Sequence, residues 1–147
     1  MSNERHLTVA VVVERGGKFL FVEETIAGGL VLNQPAGHWE EGESFVEAAA
    51  REALEETAWT VRPTALLGVY EYRPPELRYG FLRLAFRADA ISHDPQRKLD
   101  TGIERAVWLT PDELRAAHAR HRSPMVQRCV DDYLAGRSFP LELAAHL

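Results

Sequence analysis

The 147-residue sequence predicts an α+β fold, arranged as an α/β/α sandwich. Two observations carry this. Six strand-like apolar segments run along the chain, but only three helix-like ones. Turn formers separate the segments, and no repeat, low-complexity tract or Pro/Gly/Ser linker interrupts them, so residues 1–147 are expected to form one domain.

Taken in order, "HLTVAVVVE" is a strand, "RGG" a turn and "KFLFVEE" the hairpin partner. "TIAGG" is a loop, "LVLN" a short strand, and "QPAGHWEEGE" a second loop rich in turn formers. A helix follows over 45–57: Ser44 is its N-cap, and Glu47 completes a capping box. "TALLGVYEY" and "RYGFLRLAFRADA" are long strands around "RPPEL" and read as a hairpin. "SHDPQRKLDTG" is a polar loop and "RAVWL" a short strand. Thr110, Pro111 and Glu113 start a further helix as cap, N1 proline and N3 glutamate. "SPMVQRCVDDYLAG" is the last helix, opened by Ser123 and Pro124 and closed by Gly136.

Composition excludes several function classes. A net charge of -5 argues against a broad basic surface for a nucleic acid polymer. No apolar run approaches the ~18 residues of a membrane span. "LTVAVVV" follows charged residues and runs into "ERGGK" with no small-residue cleavage site, so no signal peptide is expected. One cysteine, Cys129, allows no intrachain disulfide and reads as a small buried hydrophobe. A reducing, cytoplasmic setting is expected. "GGK" at 16–18 lacks the rest of a phosphate loop, and the six histidines show no zinc spacing.

The informative stretch is "REALEETAW", residues 51–59. At ~100° per residue, Glu56 lies about 40° to one side of Glu52 and Glu55 about 60° to the other, so all three share a stripe. Val46, Ala49, Ala50, Ala53 and Thr57 form the opposite, packing side. A solvated acidic face is the common explanation of such a stripe. Here Glu52 and Glu56 repel at i,i+4, and all three sit toward the C-terminal end, where the helix dipole disfavours negative charge. Clustered carboxylate oxygens are what a hard divalent cation needs, with phosphate completing its shell. Arg51 can pair along the helix, or hold Glu43 from the preceding loop in a bidentate fork. Ala58 stands where a helix usually stops on glycine. It either takes a left-handed conformation, at a cost on the order of 1 kcal/mol, or the helix end is reshaped.

Residues 37–59, "GHWEEGESFVEAAAREALEETAW", closely resemble the Nudix box, G-x5-E-x7-R-E-U-x-E-E-x-G-U with U apolar. Gly37, Glu43, Arg51, Glu52, Glu55 and Glu56 match, with Ala53 and Trp59 at apolar positions; Ala58 replaces the second glycine. "VEETIAGG", "NQPAGH", "EAAARE", "RSPMV" and "FPLE" resemble the NudJ-type branch, small phosphatases of thiamine-pathway pyrophosphates and nucleoside di- and triphosphates.

The resemblance implies a Nudix-type sandwich with a mixed sheet. It implies Mg2+ or Mn2+ held by Glu52, Glu55 and Glu56, with the Gly37 carbonyl helping, and Glu43 with Arg51 as the orienting pair. The expected reaction is attack of water on a diphosphate linkage of a small phosphorylated substrate. Glu55 or Glu56 is a candidate general base; in some family members a later loop supplies it, which makes Asp100 and Glu104 candidates. For the organic half, Tyr70, Tyr72 and Trp39 are candidates to stack on a ring. Arg73, Arg78 and Arg83 are candidates for a terminal phosphate, and Gln34 for a base or pyrimidine. Two alternatives stand beside the phosphatase. One is a pyrophosphohydrolase of nucleoside triphosphates, ADP-ribose or dinucleoside polyphosphates; the other is a non-catalytic nucleotide sensor. Oligomeric state, monomer or homodimer, stays open.

Overall fold

The computed structural model describes residues 4–147. Seven strands form a mixed sheet: β1 (Arg5–Arg15), β2 (Lys18–Ile26), β3 (Gly29–Asn33), β4 (Ala36–His38), β5 (Trp59–Tyr72), β6 (Gly80–His93) and β7 (Ile103–Leu109). The main order is β3-β2-β1-β6-β5, with β4 paired to β1 and β7 to β2. β1 and β6 run parallel; the other pairs are antiparallel.

β1 is central and covered on both faces. This explains why Val9 to Val13 are all apolar, where a half-exposed strand would alternate. Val9, Val11 and Val13 pack with Ala48, Ala49, Ala53 and Phe86 beneath α1 (Phe45–Thr57). Ala10 and Val12 pack on the other face with Val126, Cys129 and Val130 of α3 (Pro124–Leu134). Helices therefore cover both faces of the sheet. A short helix, α2 (Pro111–Ala116), buries Leu114 in the second core.

α1 has the bounds its caps predict. Ser44 Oγ accepts from the Glu47 N–H, and the Glu47 carboxylate accepts from the Ser44 N–H. Its buried face differs slightly from the expected one: Ala48 is fully buried, whereas Val46 and Ala50 are only partly so. Thr110 caps α2 with the same reciprocal box, and Gly136 ends α3's turn with φ 81°.

Three segments depart from the expected pattern. The loop before α1 contains β4, whose three residues pair with Thr8–Ala10. Three residues are too short to show a period. β5 begins at Trp59 and not near Thr64, because Pro63 sits at a register shift on the edge strand, where a missing N–H is tolerated. β2 and β3 extend to Ile26 and Gly29, leaving Ala27 (φ 50°) and Gly28 (φ 79°) as the turn.

Candidate active site and metal centre

The site lies where the C-terminal half of α1 meets β4 and the loop before β7. α1 reaches it on an alanine face. The small side chains let the helix lie close to the sheet, and Glu52 is carried under the backbone of β4. Glu52 is only 8% exposed, so the acidic stripe is partly a buried one. A Cβ at Gly37 would lie 2.1 Å from the Glu52 carboxyl carbon. Glycine is required there because the carboxylate fills the space a side chain would take.

Arg51 organises the acids. Its Nε and Nη2 donate to the two oxygens of Glu43 (3.0 and 2.7 Å), the bidentate fork. Nη2 also donates to the His38 carbonyl (3.1 Å), which ties the box loop to β4. Nη1 donates to Glu52 (2.9 Å) and Glu55 (3.2 Å). One guanidinium therefore fixes three carboxylates. Hydrogen bonding from Arg51 holds the Glu43 carboxyl below its ordinary range, and the same bonds keep Arg51 charged.

Glu56 lies apart from Arg51. Its Oε1 accepts from the Ala36 N–H (2.9 Å). Burial pushes its carboxyl up to about 8, against that hydrogen bond, and the neighbouring Glu52, Glu24 and Asp100 push in the same direction. Burial also raises Glu52, with Arg51 opposing.

The loop ahead of β7 supplies a further acid. Asp100 donates its N–H to the Glu55 carbonyl (3.0 Å), and Asp94 donates to the Ala58 carbonyl (3.0 Å). These bonds occupy two carbonyls at the helix end, which no intrahelical donor can reach. They bring the Asp100 carboxylate to Glu52 and Glu55, whose ligand oxygens lie within 4.8 Å of one another. Three hard oxygen donors at that spacing, with one buried, suit a hard divalent cation.

A cleft of about 830 Å3 opens beside these acids. Gly37, Glu52 and Glu56 line one end; Tyr72, Tyr79, Phe81, Arg83 and Arg122 line the rest. Across the sheet His38, Thr8 and Arg83 are neighbours on β4, β1 and β6, and all three line the cleft. The Phe81–Arg83 face of β6 thus meets the site, and Leu84 and Phe86 pack under α1.

The structure brings Gly37, Glu43, Arg51, Glu52, Glu55 and Glu56 together, with Tyr72 and Arg83 on the cleft. Several expected residues lie elsewhere. Trp39, Tyr70, Arg73 and Arg78 do not line the cleft; the Tyr70 hydroxyl donates to Asp132 (2.7 Å) and Trp39 Nε1 to the Glu43 carbonyl (2.7 Å). Glu104 accepts from the Thr25 hydroxyl (2.8 Å) and lines neither the acid cluster nor the cleft; Asp100, four residues earlier, takes the place near Glu55. Gln34 is 1% exposed, its amide spent on the Val126 carbonyl and on Arg83, so it props Arg83 and does not face the cleft. Thr8, Glu24 and Arg122 carried no periodic or spacing signal, because strand pairing and, for Arg122, a backbone bond to Leu32 gather them.

The box geometry, on an α/β/α sandwich with a mixed sheet, defines a Nudix hydrolase. The NUDIX domain model matches residues 4–129, and the chain belongs to that family of enzymes acting on pyrophosphate bonds. Phosphatase NudJ of Escherichia coli (strain K12) is 40% identical over 138 residues, covering 94% of this chain and 89% of that protein. A NUDIX hydrolase structure from Nitrosomonas europaea superposes with TM-score 0.95 at 45% identity, covering 98% of each chain. A UDP-X diphosphatase structure, at 18% identity and TM-score 0.73, covers 94% of this chain and 67% of that one and shares the fold.

Proposed function

We propose that this Nudix hydrolase is a divalent-metal-dependent phosphatase of small organic pyrophosphates. It releases orthophosphate from nucleoside di- and triphosphates and from thiamine-pathway pyrophosphates. The observation that carries this is the carboxylate cluster of Glu52, Glu55 and Asp100 at the end of a cleft that also holds Glu56 and two arginines. The likeness to phosphatase NudJ over 94% of the chain supports the choice of product.

Glu52, Glu55 and Asp100, with Glu56 beside them, would hold Mg2+ or Mn2+. When bound, the cation neutralises phosphate charge and lowers the pKa of water. Arg51 and Glu43 keep Glu52 and Glu55 aimed. In the reaction a water oxygen bonds to phosphorus, the bridging P–O bond breaks, and the water proton passes to a carboxylate. Glu55, Glu56 and Asp100 are the groups within reach of the cluster for that proton. The setting proposed is the cytoplasm; no helix among the described residues is long and apolar enough to cross a membrane.

A panel of nucleoside di- and triphosphates and thiamine pyrophosphate with Mg2+ tests the reading, scored by phosphorus species. Orthophosphate is expected. Pyrophosphate or a nucleoside monophosphate from a triphosphate identifies a pyrophosphohydrolase instead. No metal-dependent turnover on any compound identifies a sensor.

A further inference from the structure

Arg83 is the least explained charge in the molecule. It is 3% exposed, on β6, and lines the cleft. Its Nη1 donates to Gln34 Oε1 (2.8 Å) and its Nη2 to Asn33 Oδ1 (2.9 Å), with Cys129 Sγ 3.9 Å away. All three partners are neutral. Its Nε is buried with no hydrogen-bond partner among the described residues. Buried arginines in folded proteins are compensated by acids, because an uncompensated charge out of water is costly. The buried acids show the contrast: Glu23, for one, is met by both Arg105 and Arg120.

The cleft lining is otherwise acidic, with Glu24, Glu40, Glu52, Glu56 and Glu76, so its positive charge is local to Arg83 and Arg122. Arg122, on the cleft rim, is 3.8 Å from Glu24. α3 starts at the cleft, with Ser123 and Met125 on its lining. Ser123 already accepts the Met125 and Val126 N–H groups, so α3 contributes its dipole and not free donors. Two strand spacings, about 10 Å, separate the Arg83 backbone from that of His38, at the acid end. A diphosphate and its attachment can span this gap.

We propose that Arg83 determines which bond is cleaved, by setting its guanidinium charge against the terminal phosphoryl group of the substrate. Asn33 and Gln34 hold the guanidinium in the cleft wall and leave its charge uncompensated. A neutral ring carbonyl would not balance that charge; a phosphate does. With the terminal phosphate anchored, the bridge presented to the acid cluster is the last one, and hydrolysis there releases orthophosphate. The inference rests on the phosphatase reading above and adds its selector.

The test has two arms. In the first, metal-free wild-type protein is titrated with inorganic phosphate while the Arg83 Nε–H and the Asn33 and Gln34 amide signals are followed by NMR. Saturable shifts at all three are expected; unmoved signals overturn the proposal. In the second, Arg83→Gln and Arg83→Lys are compared with wild type, thermal melts reporting folding. Arg83→Gln should raise KM for a nucleoside triphosphate roughly 10- to 100-fold, the worth of a charge-assisted contact, with a smaller change in kcat, and should turn part of the product from orthophosphate to pyrophosphate. Lysine should recover part of it. A dinucleoside diphosphate, whose phosphates are both capped, should show no such change. Folded Arg83→Gln with wild-type KM, or an equal loss on the capped compound, overturns the assignment and leaves the hydrolase reading standing. If wild type hydrolyses nothing, that reading fails, and the phosphate titration still judges Arg83.

Discussion

At the scale of single residues, the site depends on a missing side chain and a buried proton. Gly37→Ala would place a methyl where the Glu52 carboxylate lies. The clash is with the end of a flexible side chain, so Glu52 swings away and the fold survives. Turnover is expected to fall by roughly 100-fold or more, as for loss of a positioned catalytic group, with the melting temperature nearly unchanged. An equal loss of both would place the damage in packing. Glu56→Gln should also cut turnover by orders of magnitude in a folded protein; full Mg2+-dependent activity would remove Glu56 from the site. Glu56 also sets a pH slope. Between its ordinary 4.5 and about 8, the folded, metal-free protein keeps a proton that the unfolded chain has released. Stability from this group is complete at low pH and declines as pH rises toward about 8. Urea midpoints in EDTA should show that decline in wild type and a flatter profile in Glu56→Gln. A cation expels the same proton, so Mg2+ affinity measured by calorimetry should rise with pH up to about 8.

At the scale of elements, α1 is where sequence and structure agree best. Its capping box, its alanine side and its acid stripe are all local patterns, and the helix has the expected bounds. Ala58 resolves in favour of the left-handed alternative, with φ 63° and its N–H on the Leu54 carbonyl. Alanine is tolerated there for a reason the sequence does not show. Its methyl is buried, at 3% exposure, and burial of one such group contributes about 0.8 kcal/mol. That nearly offsets a left-handed cost of about 1–2 kcal/mol. Glycine would also enlarge the unfolded ensemble, at about 0.4–1 kcal/mol. Ala58→Gly should therefore change stability by less than about 1 kcal/mol, and a melting temperature raised by much more than about 4 °C would contradict the balance. β4 and the first turn of β5 stayed hidden, one because it is three residues long and the other because Pro63 resembles a break.

At the scale of the whole molecule, the box was legible because it is contiguous, and the cleft was not because it is assembled. Glu104 and Asp100 illustrate the difference. Both stand in one loop-strand segment, and only the backbone bond from Asp100 to the end of α1 decides which acid arrives. Gln34 and Arg83 make the same point: both are buried polar residues, yet only Arg83 lines the cleft while Gln34 props it from behind. Removing divalent metal with EDTA should abolish turnover without unfolding the chain, as followed by circular dichroism, because two apolar cores and not the acid cluster hold the sandwich together. Unfolding on chelation would make the cation structural.

The row His38, Thr8 and Arg83 has a consequence of its own. Each member sits on a different strand, far apart in the chain, while the reactive acids nearly all occupy one helix and its loop. The acids are thus gathered along the chain and this part of the cleft wall across it. On the Arg83 proposal, a single replacement on one strand should change which phosphate compound is cleaved without touching the acids that cleave it.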